Sequence, residues 1–150
     1  ARPPKNVLPL KDSLVPDAVS ALGYADDCRF FQWVLKDSKK FTAAEIYALS
    51  VFIKQRRANY IIITHGTDRM AEHCAELNQL LKGSEKVVIL TGSMTPLMNG
   101  RISDGYDNLL YCIEHIERMA PGVHAVMHTR VFEPGKFKKN FATRQFEDIA

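Results

Sequence analysis

The sequence has little cysteine, no long hydrophobic run and no strong excess of either charge. Its three cysteines, Cys28, Cys74 and Cys112, are odd in number and form no C-x-x-C pair, which indicates buried thiols in a reducing compartment. No apolar stretch approaches the roughly 20 residues of a membrane-spanning helix. The formal net charge of +3 comes without a long Lys/Arg run, so neither nucleic acid nor a membrane is expected as a partner. We expect a cytoplasmic protein.

Several motifs of cofactor-dependent enzymes are also missing. The sequence has no G-x-S-x-G elbow, no P-loop and no G-x-G-x-x-G fingerprint, so nothing indicates a serine hydrolase of that type or a nucleotide site. His124 and His128 are spaced to lie on one face of a predicted strand, but no carboxylate or cysteine stands near them at metal-ligand spacing. We therefore expect no metal and no organic cofactor.

What the sequence does contain is a regular alternation of apolar runs and helical patterns. The runs at 29–35, 60–63, 86–90 and 123–127 are rich in β-branched or aromatic residues, which favours strands. Helical patterns begin near Ser13, Thr42, Met70 and Ser103. This order predicts an α/β fold, a three-layer α/β/α sandwich with a mainly parallel, flavodoxin-like sheet, in one domain from residue 13 to residue 150. Residues 1–12 are expected to form an irregular arm, because Pro9 argues against a central strand.

The segment 64–70 concentrates functional groups between a predicted strand and a predicted helix. Such a turn lies at the carboxyl edge of a parallel sheet, where ligands bind. The Thr67 hydroxyl is a candidate nucleophile or water-positioning group, and it would need a base such as a lysine whose pKa is lowered by burial. Asp68 can pair with a substrate ammonium group. A Thr or Asp here is equally typical of an ordinary helix cap, and composition alone does not decide between these roles.

Two further polar loops follow predicted strands at the same edge. In the first, Ser93 and its neighbours offer hydroxyl and N–H groups to a pocket; in the second, Asp37 and Ser38 can hold a carboxylate. Each is weak as a single signal, because such residues are common in plain turns.

Four stretches in order give a more specific result. Residues 61–70, 87–96, 103–109 and 121–140 resemble successive motifs of the bacterial-type L-asparaginases, and the chain is most similar to their short, single-domain type. Arg69 stands where that family usually has Thr. The resemblance implies hydrolysis of L-asparagine, with L-glutamine as a further possible substrate, by threonine-based nucleophilic catalysis in a homo-oligomer.

The resemblance also implies roles for individual residues. Thr67, Asp68 and Lys139 match a catalytic cluster in which the lysine pairs with the threonine and the aspartate holds the substrate α-ammonium. Ser38, next to Asp37, matches the residue that binds the α-carboxylate. The backbone of Gly66 and Thr67 is placed to stabilise the oxyanion, and Ser93 lies in a loop that lines the same site.

One family motif is not in the sequence. The family carries a Thr-Gly-Gly-Thr-Ile stretch after its first, central strand, and this stretch supplies the primary nucleophile. We expect the natural gene to encode it, together with that strand, upstream of residue 1. The alternatives are a non-catalytic amino-acid-binding pseudoenzyme and a related glutaminase or amidotransferase subunit.

Overall fold

A computed structural model describes residues 5–9, 28–30, 40–94 and 104–149, the first two ranges by backbone alone. The strands in these ranges are β1 (Lys5–Pro9), β2 (Cys28–Phe30), β3 (Tyr60–Thr64), β4 (Val87–Thr91), β5 (Gly122–Met127), β6 (Arg130–Phe132), β7 (Phe137–Asn140) and β8 (Gln145–Asp148). The helices are α1 (Ala43–Lys54), α2 (Met70–Leu80) and α3 (Asp104–His115), and a 3₁₀ turn (Ile116–Arg118) follows α3. None of these helices has both the length and the apolar character needed to cross a bilayer.

Six strands form one sheet in the order β2-β1-β3-β4-β5-β6. The first five are parallel, and β6 runs antiparallel to β5. This is the strand order of the flavodoxin-like doubly wound sheet. In the register of β3 and β4, Thr64 is opposite Thr91, so both strands deliver their polar ends to the same edge.

The sheet is covered on both faces. Ile61 and Ile63 of β3 pack in one core with α1 and α2, while Ile62 packs in a second core with α3. Successive residues of a strand point to opposite faces. All three side chains are fully buried because both faces of the sheet are covered. The two cores make the predicted three-layer α/β/α architecture, which is confirmed.

Local signals place α1 where the sequence predicts it. Thr42 and Glu45 form a reciprocal capping box, in which the Glu45 N–H donates to Thr42 Oγ1 at 3.2 Å and the Thr42 N–H donates to Glu45 Oε1 at 3.3 Å. The predicted helix near Ser13 and most of the predicted strand 29–35 lie outside the described residues.

The prediction for the N-terminal arm is wrong at residues 5–9. These residues form β1, which pairs with β2 on one side and with β3 on the other. Pro9 is tolerated because it is the last residue of the strand, opposite Thr64, so its missing N–H falls at the end of the ladder. The central strand that we expected upstream of residue 1 is therefore supplied by this chain.

Candidate active site

The loop 65–69 leaves β3 at the carboxyl edge of the sheet. The His65 N–H donates to the Thr91 carbonyl at 2.8 Å, so the loop first continues alongside β4. His65 and Gly66 are buried, whereas Thr67 and Asp68 are partly exposed. The N-cap of α2 is Arg69, whose side chain makes no capping hydrogen bond.

Lys139 meets this loop from a distant part of the chain. Its Nζ donates to Thr67 Oγ1 at 2.8 Å and to Asp68 Oδ1 at 2.8 Å. The Lys139 side chain is only 7% exposed and that of Asp68 is 26% exposed, so the ion pair is shielded more than an ordinary surface pair. The structure thus brings together the three predicted catalytic residues. Asp68 and Lys139 are among the residues that line a cleft of about 310 Å³.

A small second sheet holds Lys139 in place. Strands β7 and β8 form an antiparallel hairpin in which Lys139 pairs with Phe146. The rings of Phe137 and Phe146 are buried and stack with centroids 5.9 Å apart. Lys138 is exposed and makes a 3.6 Å ion pair with Glu147. Residues 131–150 show no clear periodicity in the sequence, which therefore does not predict this hairpin.

The loop after β4, which contains Gly92 and Ser93, packs directly against the loop 65–69. A Cβ at Gly92 would lie 2.4 Å from the His65 carbonyl oxygen and 3.5 Å from Thr67 Cγ2, so only glycine allows this approach. Asn108, which is 1% exposed, donates from Nδ2 to the Gly92 carbonyl at 2.9 Å and accepts from the Thr129 N–H at 3.1 Å. Asn108 therefore ties this loop to the turn between β5 and β6.

His65 of the loop 65–69 pairs with a second histidine, His73 of α2. His65 Nε2 is 2.8 Å from His73 Nδ1, and His65 Nδ1 contacts the Gly66 carbonyl oxygen. The Phe41 ring stacks on His65 with centroids 5.8 Å apart. Burial lowers the pKa of His73 to about 4, and the Arg69 guanidinium adds to this effect. Sequence reasoning did not identify His73, because it falls within the apolar stripe of a helix.

The other predicted site residues have different outcomes. Ser38 and Asp37 lie outside the described residues. Ser93 follows Gly92 in the loop after β4 and is partly exposed. Thr67 is not the N-cap of α2, and its hydroxyl instead accepts the bond from Lys139.

The two histidines considered for a metal do not share a strand face. Strand β5 ends at Met127, and His128 lies in the following turn with φ of 54°. His124 Nδ1 is 2.9 Å from Glu133 Oε2, a carboxylate that the sequence spacing did not bring to attention. Among the described residues no group of three or more His, Cys, Asp or Glu side chains is arranged to hold a metal ion.

Comparison with known proteins gives one matching family and several similar proteins. The family described as "Asparaginase, N-terminal" matches residues 5–147. L-asparaginase 1 of Escherichia coli K12 is 40% identical over 78 residues, which are 51% of this chain and 23% of that protein. A human 60 kDa lysophospholipase is 40% identical over 78 residues, 51% of this chain and 13% of its own length.

A solved structure shares the fold. A probable cytoplasmic L-asparaginase from Campylobacter jejuni superposes with a TM-score of 0.84 at 21% identity, over 98% of this chain and 52% of that one. The chain thus corresponds to only part of each of these proteins. Since the family match extends over nearly all of the sequence, this chain belongs to the asparaginase family.

Proposed function

We propose that this chain hydrolyses L-asparagine to L-aspartate and ammonia, and that Thr67, Asp68 and Lys139 form one half of its active site. The observation that carries the proposal is the position of Lys139 Nζ, 2.8 Å from both Thr67 Oγ1 and Asp68 Oδ1. Membership of the asparaginase family and the similarity to an E. coli L-asparaginase support it.

The proposed chemistry follows from the charges in this cluster. A lysine ammonium group has only donors, and its bond to Thr67 Oγ1 stabilises negative charge on that oxygen when the hydroxyl gives up its proton. An attacking threonine oxygen forms a bond to the side-chain amide carbon of asparagine, its hydroxyl proton passes to the amide nitrogen, and the C–N bond breaks to release ammonia. Water then cleaves the resulting ester and releases aspartate. Asp68 provides the carboxylate for the substrate α-ammonium.

The experiment is ammonia release from L-asparagine by the intact protein, with L-glutamine as a parallel substrate. Thr67→Val and Lys139→Met should each lower kcat by about a hundredfold or more, because each removes a group that acts on developing charge. Thr67→Ser keeps the hydroxyl and should retain much more activity than Thr67→Val.

Lys138→Met is the matched control for Lys139. It removes a neighbouring positive charge from the same strand, but Lys138 is exposed and pairs with Glu147. It should leave kcat within about twofold, as is usual for exposed ion pairs. Equal activities of the Lys138→Met and Lys139→Met proteins would contradict the proposed role of Lys139.

A second candidate function is amino-acid binding without hydrolysis. Strand β1 ends at Pro9 beside Thr64, and the residues that come next in the sequence, 10–27, contain no threonine. Thr64 and Thr91 also lie at this edge, but both are buried. Without a further threonine hydroxyl that faces Thr67, the site retains a carboxylate and an ammonium group for recognition but lacks the primary nucleophile. Calorimetric binding of L-asparagine without any ammonia release would establish this alternative, and turnover would exclude it.

The cellular setting is also a proposal. We infer a cytoplasmic location and a homo-oligomer. The buried, unpaired thiols of Cys74 and Cys112 and the naming of the Campylobacter relative as probably cytoplasmic support the location. Fractionation tests the location, and light scattering of the intact protein tests the assembly.

A further inference from the structure

We propose that His73 is a positioning residue which, acting through His65, fixes the peptide unit between Gly66 and Thr67 and thereby aims the Thr67 N–H at the reacting amide. This inference rests on the proposed function, because the Thr67 N–H is expected to stabilise the oxyanion. Neither ring needs to touch the substrate for this role.

The direction of each hydrogen bond made by His65 and His73 follows from which atoms can only accept. The Gly66 carbonyl can only accept, so His65 Nδ1 must carry the hydrogen in that contact. In a neutral ring His65 Nε2 then has a lone pair, and it accepts from His73 Nδ1–H at 2.8 Å. In this arrangement both rings are Nδ1–H tautomers. The pKa of His73, lowered to about 4 by burial, agrees with a neutral ring near pH 7.

The covalent geometry connects this pair to Thr67. The carbonyl of Gly66 and the N–H of Thr67 belong to one planar peptide unit, so a bond that holds the oxygen also sets the direction of the N–H. The loop is held on its other side by Gly92, which packs against the His65 carbonyl. His65 and His73 are 3% and 1% exposed, which leaves the rings little room to adopt another orientation.

Loss of this positioning should lower kcat much more than it changes KM. An oxyanion donor acts mainly on charge that develops in the transition state. We expect His73→Leu to lower kcat of the intact enzyme about tenfold or more, with KM within about threefold of the parent value. His73→Asn should restore most of kcat, because the Asn amide nitrogen can donate from a position close to that of His73 Nδ1.

Leu77→Ala is the matched control. Leu77 is fully buried one turn further along α2, so its truncation weakens the same helix packing while both histidine side chains are kept. It should lower the melting temperature and leave kcat within about twofold at a temperature where the protein is folded. If His73→Leu lowers kcat no more than Leu77→Ala, or if His73→Asn is as slow as His73→Leu, the proposal is wrong.

A measurement that needs no turnover separates this inference from the proposed function. Long-range ¹H–¹⁵N NMR of the parent protein should show Nδ1–H tautomers for both His65 and His73. The Thr67 amide resonance should shift in His73→Leu but not in Leu77→Ala. An Nε2–H tautomer at His65 overturns the inference, even where His73→Leu fails to fold. If the parent releases no ammonia while the tautomers are as assigned, the proposed function fails and the positioning contact stands.

Discussion

Gly92 is the residue at which the two loops of the site come closest. Gly92→Ala would place a methyl carbon 2.4 Å from the His65 carbonyl oxygen, which is backbone and cannot move aside cheaply. We expect it to lower the free energy of unfolding by about 1–3 kcal/mol, as overpacking usually does, and to reduce kcat by displacing Thr67. Urea unfolding and ammonia release measure the two effects.

Gly83 provides the comparison for this prediction. It has φ of +87°, and an added Cβ there would meet no atom within 4 Å. Gly83→Ala should therefore cost about 1 kcal/mol through backbone strain alone and leave kcat unchanged. Similar losses of kcat in the two alanine variants would show that the contact between the loops is not responsible.

His73 makes stability depend on pH in the mildly acidic range. Its folded pKa of about 4 lies below the ordinary value of 6.5, so between these pH values the unfolded chain binds more protons than the folded one. Stability therefore falls as the pH drops from 6.5 towards 4, by about 3 kcal/mol from this group. Urea unfolding at pH 7 and pH 4.5 should show a smaller decrease for His73→Asn than for the parent. Equal decreases would contradict the prediction.

The proposed catalytic residues are easier to predict from the sequence than the residues that hold them in place. Thr67 and Asp68 are candidates from their chemistry and their position between a strand and a helix, whereas Lys139 is identified only through the family resemblance, since nothing in the spacing of the tail selects it. His73 carries no signal in the sequence, because a buried polar residue on a helix looks like an interruption of its apolar face. Asn108 belongs to the motif 103–109, but the sequence assigns it no role. Their partners, His65 and Gly92, become visible only when the loops are placed in space.

The β7–β8 hairpin is anchored by a histidine at a turn. The Phe146 N–H donates to His128 Nε2 at 2.9 Å, and Phe146 is the strand partner of Lys139. His128→Asn keeps a residue that tolerates the left-handed backbone at this position, but its side chain is too short to supply the acceptor. We expect faster hydrogen exchange at the Phe146 amide and a lower kcat. Unchanged exchange at Phe146 would show that the bond does not hold the hairpin.

The length of each element decided how well it could be predicted. Strands β3 and β4 have five residues each and read clearly, because both faces of a central parallel strand are apolar. Strands β7 and β8 have four residues each with one aromatic apiece, too few to show alternation. The sequence does not predict β1, because Pro9 argues against a central strand unless it is known to be the last residue of that strand.

The two described thiols sit in different cores and report on the whole fold. Cys74 of α2 and Cys112 of α3 are both fully buried, and burial raises the pKa of each to about 12. In a Cys28→Ser background we expect both to resist iodoacetamide at pH 8 and to react together as denaturant unfolds the protein. Mass spectrometry of the labelled peptides measures this. Rapid labelling of one thiol in native buffer would mean that its core opens independently.

Thr67 and Lys139 are 72 positions apart in the sequence, and this distance also affects the order in which the site is assembled during synthesis. The ribosome releases β3, its loop and α2 well before it makes the hairpin that carries the lysine, so the nascent chain first holds Asp68 without its cation. Contacts between such distant residues form late in folding, after the entropy of closing the intervening loop has been overcome. We therefore expect the Thr67–Asp68–Lys139 cluster to form late, and a chain that ends before the β7–β8 hairpin lacks its lysine.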